Sequence, residues 1–115
     1  MKRPALPLLL GALLVAGASC SGSKPDVTVQ MVDFTFKPVH VVVVPGQSVR
    51  FTNDTSHLHN LTILHGPAIS LDVPPGSNAT TEKIGALKAG TYPFRCKYHF
   101  RQGMVGVLTV QGPSP

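Results

Sequence analysis

From residue 27 onward the apolar positions alternate with polar ones in short runs and do not recur at helical spacing. Val27-Thr28-Val29-Gln30-Met31 alternates as a half-buried strand does. The apolar parity then shifts to Phe34 and Phe36, which predicts a bulge or bend near Asp33. Val41 to Val44 is wholly apolar and is closed by Pro45-Gly46, as expected of a strand buried on both faces or hidden beneath an N-terminal tether. Ser48 to Asn53 places Val49 and Phe51 on one face and Arg50 and Thr52 on the other. His59 to Leu64 puts His59, Leu61 and Ile63 on a shared face. Residues 66–78 carry Pro67, Pro74, Pro75 and Gly76 and read as loop, and Thr80 to Ile84 follows as a strand. Gly90 opens a strand over Thr91 to Lys97, and Val105 to Gln111 is the last. About seven or eight short strands, recurring roughly every ten residues, predict an all-β Greek-key β-sandwich over residues 27–112.

The start of the chain follows a different plan. Lys2 and Arg3 precede an apolar run from Ala5 to Ala18, and Gly17-Ala18-Ser19-Cys20 follows. A positive start, a short apolar stretch and small residues are the three parts of a secretory signal peptide, expected over residues 1–19. The run is shorter than the roughly 20 apolar residues that span a bilayer. Gly17-Ala18-Ser19-Cys20 resembles a bacterial lipobox, with Gly17 where Leu is preferred. That resemblance implies a lipidated Cys20 as mature N-terminus, an exported protein, and a lipid anchor on the extracytoplasmic or periplasmic side of a bacterial membrane. Residues 20–26 then serve as anchor and flexible tether.

Charge narrows the function classes. Setting Lys2 and Arg3 aside, the formal net charge of +5 falls to +3, and no Lys/Arg run or basic helix is present. Nucleic acid is therefore not expected as a partner. No interface signal stands out, so a monomer is expected. With Cys20 lipidated, Cys96 is the one remaining cysteine of the two in the chain. A single cysteine in an exported domain is reactive, metal-bound or buried.

The segment Cys96-Lys97-Tyr98-His99-Phe100-Arg101-Gln102-Gly103-Met104 decides among these. It carries a thiolate, an imidazole and a thioether donor between two predicted strands. Soft sulfur with imidazole favours copper, and two His, one Cys and a weak axial Met form the blue-copper set. Tyr92, Phe94 and Cys96 share parity, so the strand delivers Cys96 to the top of the core while Arg95 and Lys97 face solvent. The second histidine is best supplied by His59, at the start of a strand whose inner face continues with Leu61 and Ile63. His57, roughly 7 Å away in an extended chain, is a second candidate; His65, about 20 Å along, belongs at the opposite end. His40 is expected to face solvent. One copper ion per chain follows from this set.

These residues resemble the cupredoxins, in particular plastocyanin-like proteins. The likeness runs from Phe36-Lys37-Pro38 through Pro45-Gly46-Gln47-Ser48-Val49-Arg50-Phe51-Thr52-Asn53 to Gly106-Val107-Leu108-Thr109-Val110, and includes His59-Asn60 and the spacing of Cys96, His99 and Met104. It implies a cupredoxin-like fold, with His59, Cys96 and His99 as strong ligands and Met104 as axial ligand. Asn60 would tie the His59 strand to the cysteine loop. Leu58, Tyr98 and Phe100 depart from common family residues, which bears on loop shape and reduction potential.

The expected function is extracytoplasmic electron transfer at a mononuclear type 1 copper site, as a carrier and not an enzyme, since four protein ligands leave no open position. Electrons would leave by the edge of His99. Tyr98, Phe100 and Leu58 would form an apolar docking patch, with Lys97 and Arg101 at its rim for redox partners with acidic surfaces. Copper trafficking on the same fold, a copper-assisted oxidoreductase and a metal-free binding module are the competing readings.

Overall fold

The computed structural model describes residues 26–112. The expected signal peptide, the expected lipidation at Cys20 and the expected tether as far as Pro25 lie outside the described residues. Nine strands follow in chain order: β1 (Val27–Val32), β2 (Thr35–Lys37), β3 (His40–Val43), β4 (Val49–Asn53), β5 (His59–Ile63), β6 (Ser70–Val73), β7 (Ser77–Thr81), β8 (Gly90–Arg95) and β9 (Val105–Val110). One short 3-10 helix, Phe100–Gln102, lies between the last two. Among the described residues no helix is long and apolar enough to cross a membrane.

The strands form two layers, a four-stranded sheet in the order β2-β1-β4-β7 and a five-stranded sheet in the order β3-β9-β8-β5-β6. The chain changes sheet at β3, β4, β5, β7 and β8, so β1 meets β4 and β3 meets β9 in parallel. The remaining pairs are antiparallel. This is the expected all-β sandwich, with nine strands in place of seven or eight.

Alternation along each strand sends one set of side chains between the layers. Phe36, Phe51, Phe94, Met31, Leu61, Ile84 and Leu108 are the largest apolar chains there, all essentially inaccessible. Phe36 and Phe94 meet edge to face with ring centroids 4.8 Å apart. The crossing of β9 over Phe94 depends on Gly106. A Cβ at that position would stand 2.4 Å from Phe94 Cζ and 2.7 Å from the Val39 carbonyl oxygen, far inside van der Waals contact.

One expectation is sharpened and three are corrected. The parity shift near Asp33 is a hairpin turn: Val32 pairs with Thr35, so Asp33 and Phe34 divide one anticipated strand into β1 and β2. The apolar run at Val41 to Val44 is not buried on both faces. It is an edge strand paired with β9 alone, with Val41 and Val43 inside and Val42 45 % exposed. The region 66–78, read as loop, contains β6, because Ser70 to Asp72 pair with Thr62 to Asn60 in a register set by the partner strand. The strand anticipated at Thr80 to Ile84 begins earlier, at Ser77, and stops at Thr81; Ile84 enters the core from the following turn.

Candidate metal centre

Five chain segments end at one pole of the sandwich. They are the β1–β2 turn, the end of β4, the start of β5, the end of β8 and the start of β9. Antiparallel pairing of β8 with β9 runs from Gly90–Val110 to Arg95–Val105, so Cys96 and Met104 face each other directly past the ladder. The Cys96 amide donates to the Met104 carbonyl at 3.0 Å, one further rung beyond the assigned strands.

The seven residues between them fold on themselves. The His99 amide donates to Cys96 O at 3.2 Å, and the Gln102 and Met104 amides donate to His99 O at 3.0 and 3.3 Å. Gly103, at φ 90°, ends the 3-10 turn in a left-handed conformation that a β-carbon disfavours. This winding returns His99 over Cys96, with Cys96 Sγ and His99 Nδ1 3.5 Å apart.

His59 begins β5 and is completely buried. Its ligating atom and those of Cys96 and His99 all lie within 4.8 Å of one another. Bonds of about 2.0–2.3 Å to a first-row ion bridge donor atoms up to roughly 4.5 Å apart, so the trio is close to closing on one ion. His59 Nε2 is 3.1 Å from Asp33 Oδ1, while Nδ1 is buried with no hydrogen-bond partner. A buried ring nitrogen left bare costs free energy unless something occupies it. The donor set fits a soft, imidazole-accepting ion. Met104 is also completely buried, immediately across the β8–β9 end from Cys96. His99 is held below the ordinary histidine range, first by desolvation and then by the charge of His59 and His57. That favours the neutral imidazole, the form that binds metals.

Two asparagines brace this end. Asn60, fully buried, donates from Nδ2 to Asp72 Oδ1 at 2.7 Å and accepts at Oδ1 from the Lys97 amide at 3.3 Å. It therefore couples β5, β6 and the residue after Cys96. Asn53 closes β4 by donating to the carbonyls of His57 and Val73, each at 2.8 Å, and accepts from the Thr55 amide at 3.0 Å. This fixes the connection that carries His57.

His57, the alternative histidine, is not among the clustered donors. Its Nδ1 lies 3.0 Å from Asp33 Oδ1 and its ring is half exposed. His40 and His65 are exposed, His40 bonded to Thr109 at 2.9 Å. Arg95 does not point into solvent as its parity suggested. Its guanidinium folds over the Phe100 ring, 4.0 Å from the centroid. Tyr98 is 42 % exposed, but its hydroxyl donates to Asp72 Oδ2 at 2.8 Å, which raises the phenol and holds Asp72 low.

The sequence reading did not single out Asp33, Phe34 or Asn53 as parts of this site. Phe34 packs against His99, centroids 4.8 Å apart. Desolvation pushes the Asp33 carboxyl up, but hydrogen bonds and charge from His57 and His59 outweigh it and hold it low. The parity shift at Asp33 was the one visible signal; the distance of 26 residues to His59 concealed the contact.

A family model described as a cupredoxin-like domain matches residues 5–110. A plastocyanin of Nostoc punctiforme is 29 % identical over 90 residues, which cover 67 % of this chain and 65 % of that protein. A reduced amicyanin variant superposes with a TM-score of 0.61 at 20 % identity, over 75 % of this chain and 82 % of that one. A copper-containing nitrite reductase from Thermus scotoductus superposes with a TM-score of 0.64 at 23 % identity, over 95 % of this chain but 26 % of the enzyme. The two structural likenesses bear on the fold.

Proposed function

The chain belongs to the cupredoxin-like domain family, and from that premise we propose that it carries single electrons through one copper ion held by His59, Cys96, His99 and Met104. The observation that carries the reading is the gathering of one donor atom each from His59, Cys96 and His99 within 4.8 Å of one another, with Nδ1 of the buried His59 left without a partner. Copper supplies the one-electron Cu(II)/Cu(I) couple. The protein's part is to keep the donors still: Cys96 and Met104 are tied by the added rung, His99 by the turn, and His59 by β5. Four donors from the protein leave no vacant position for a substrate, which supports carriage over catalysis.

His99 is the donor with partial exposure, and it is the exit for the electron. Around it, Leu58 and Tyr98 expose apolar surface, and Phe100 lies between Arg95 and Arg101. Lys97 is partly neutralised by Asp72 at 3.7 Å, so Arg101 dominates the positive rim. The partner is a redox protein with an acidic face, and exchange with it slows as salt rises. The chain is exported and lipid-anchored through Cys20, supported by the pattern of residues 1–20. Lipid labelling should be abolished in Cys20→Ala, and persistent labelling would exclude that anchor.

The test is a Cu(II) titration of the purified chain followed by visible absorption and EPR. An intense blue thiolate-to-copper band with narrow copper hyperfine splitting is the expected result. A pale, ordinary Cu(II) spectrum would remove the reading.

A further inference from the structure

Asp33 sits in the turn of the four-stranded sheet, whereas His59, Cys96, His99 and Met104 all belong to strands and loops of the five-stranded sheet. It nevertheless places one oxygen, Oδ1, 3.1 Å from His59 Nε2 and 3.0 Å from His57 Nδ1. His59 is completely buried, and this is the only hydrogen bond its ring makes among the described residues, since Nδ1 has none.

A neutral imidazole carries its proton on one nitrogen or the other. An anionic acceptor at Nε2 selects the tautomer protonated there, and that tautomer presents the Nδ1 lone pair to the donor cluster. With the opposite tautomer, two lone-pair-bearing atoms, Nε2 and Oδ1, would face each other at 3.1 Å, and Nδ1 would carry a proton in place of a lone pair that a metal could use. The carboxylate also sets a negative charge against the far side of the ring, where it favours a more highly charged cation on the near side, as outer partners of metal-bound histidines do.

We propose that Asp33 is a positioning residue for His59. Its carboxylate fixes the His59 tautomer and orientation and, through the ring, favours the oxidised ion over the reduced one. His57 secures the same oxygen from the solvent side, so the half-exposed His57 ring and the buried ligand share one anchor. The inference rests on the copper reading above.

The test compares the full chain with its Asp33→Ala and Asp33→Asn variants. In the metal-free protein, histidine nitrogen NMR should show His59 as a single Nε2–H tautomer. Asp33→Ala should give a tautomer mixture and bind Cu(II) about tenfold more weakly. With Cu(I) binding little changed, that tenfold loss is a rise in potential of about 59 mV. Asp33→Asn keeps an oxygen acceptor and loses the charge, so the tautomer should persist while the potential rises. A merely structural turn residue would lower the melting temperature without moving the tautomer or the potential. Wild-type tautomer, affinity and potential in Asp33→Ala would overturn the assignment. If that variant does not fold, an unchanged potential in Asp33→Asn does so. Should the wild type itself form no blue site with copper, it is the reading of the function that fails.

Discussion

Cys96→Ser will leave a folded sandwich that has lost the intense visible band. The thiol is fully buried, and Ser is close to it in size, so the β8–β9 ladder and the Cys96–Met104 rung remain. What changes is the donor. A serine hydroxyl stays protonated at neutral pH and is hard where the site is soft, so the thiolate-to-metal charge transfer disappears. Outer partners of metal ligands are worth about 10–100-fold in affinity, so loss of the thiolate itself should cost at least about a hundredfold. The buried hydroxyl would cost roughly 1–3 kcal/mol in the metal-free protein if it finds no partner. Absorption, EPR and a competition titration against a chelator of known affinity check the first effect, and thermal melting checks the second. A Cys96→Ser protein that remains intensely blue would show that the copper thiolate lies elsewhere.

Phe94→Ala should produce the largest loss of stability. Phe94 is 1 % exposed, stacks edge-on against Phe36 across the two sheets, and lies directly under Gly106. Its removal leaves a cavity that neither backbone can close, because β8 is pinned on both sides by β5 and β9. Phe→Ala in such a position costs about 3–5 kcal/mol. A domain of this size holds only about 5–15 kcal/mol in total, so much of its margin would go. Urea unfolding of the metal-free chain measures this directly. Phe94→Leu, which fills much of the space, should lose clearly less. A loss below about 1 kcal/mol in Phe94→Ala would mean that the two sheets are not held together at this contact. Because Cys96 lies two residues further along, just past the end of β8, copper affinity should fall with stability in this variant.

The strands that frame the site were legible because period-two alternation is local. In β4 and β8 the parity of Val49 and Phe51 and of Phe94 could be read without knowing any neighbour. Cys96 and His99 come together for a similarly local reason, three residues apart on one turn. His59 was placed by strand parity and by its position at a strand start. What escaped the reading was set by neighbours distant in sequence. β6 exists because β5 offers it a register, although Pro67 and Pro74 flank it. Val42 is outward because alternation turns it to the outer face of its sheet, which is open to solvent there, and a run of four valines does not disclose which face is open. Arg95 has the parity of a surface residue but finds the Phe100 ring. The contact of Asp33 with His59 bridges two sheets, and no spacing rule within either strand announces it.

The placement of the β1–β2 turn separates two tasks. One layer of the sandwich grips the ion, and the other reaches over with Asp33 against His59 and Phe34 against His99. Under the role proposed for Asp33, a substitution in that turn retunes the centre while every donor, and the ladder that spaces them, is left in place. On the proposed electron-carrying function, a lineage with this architecture can match its protein to a new electron donor or acceptor by editing a two-residue hairpin tip.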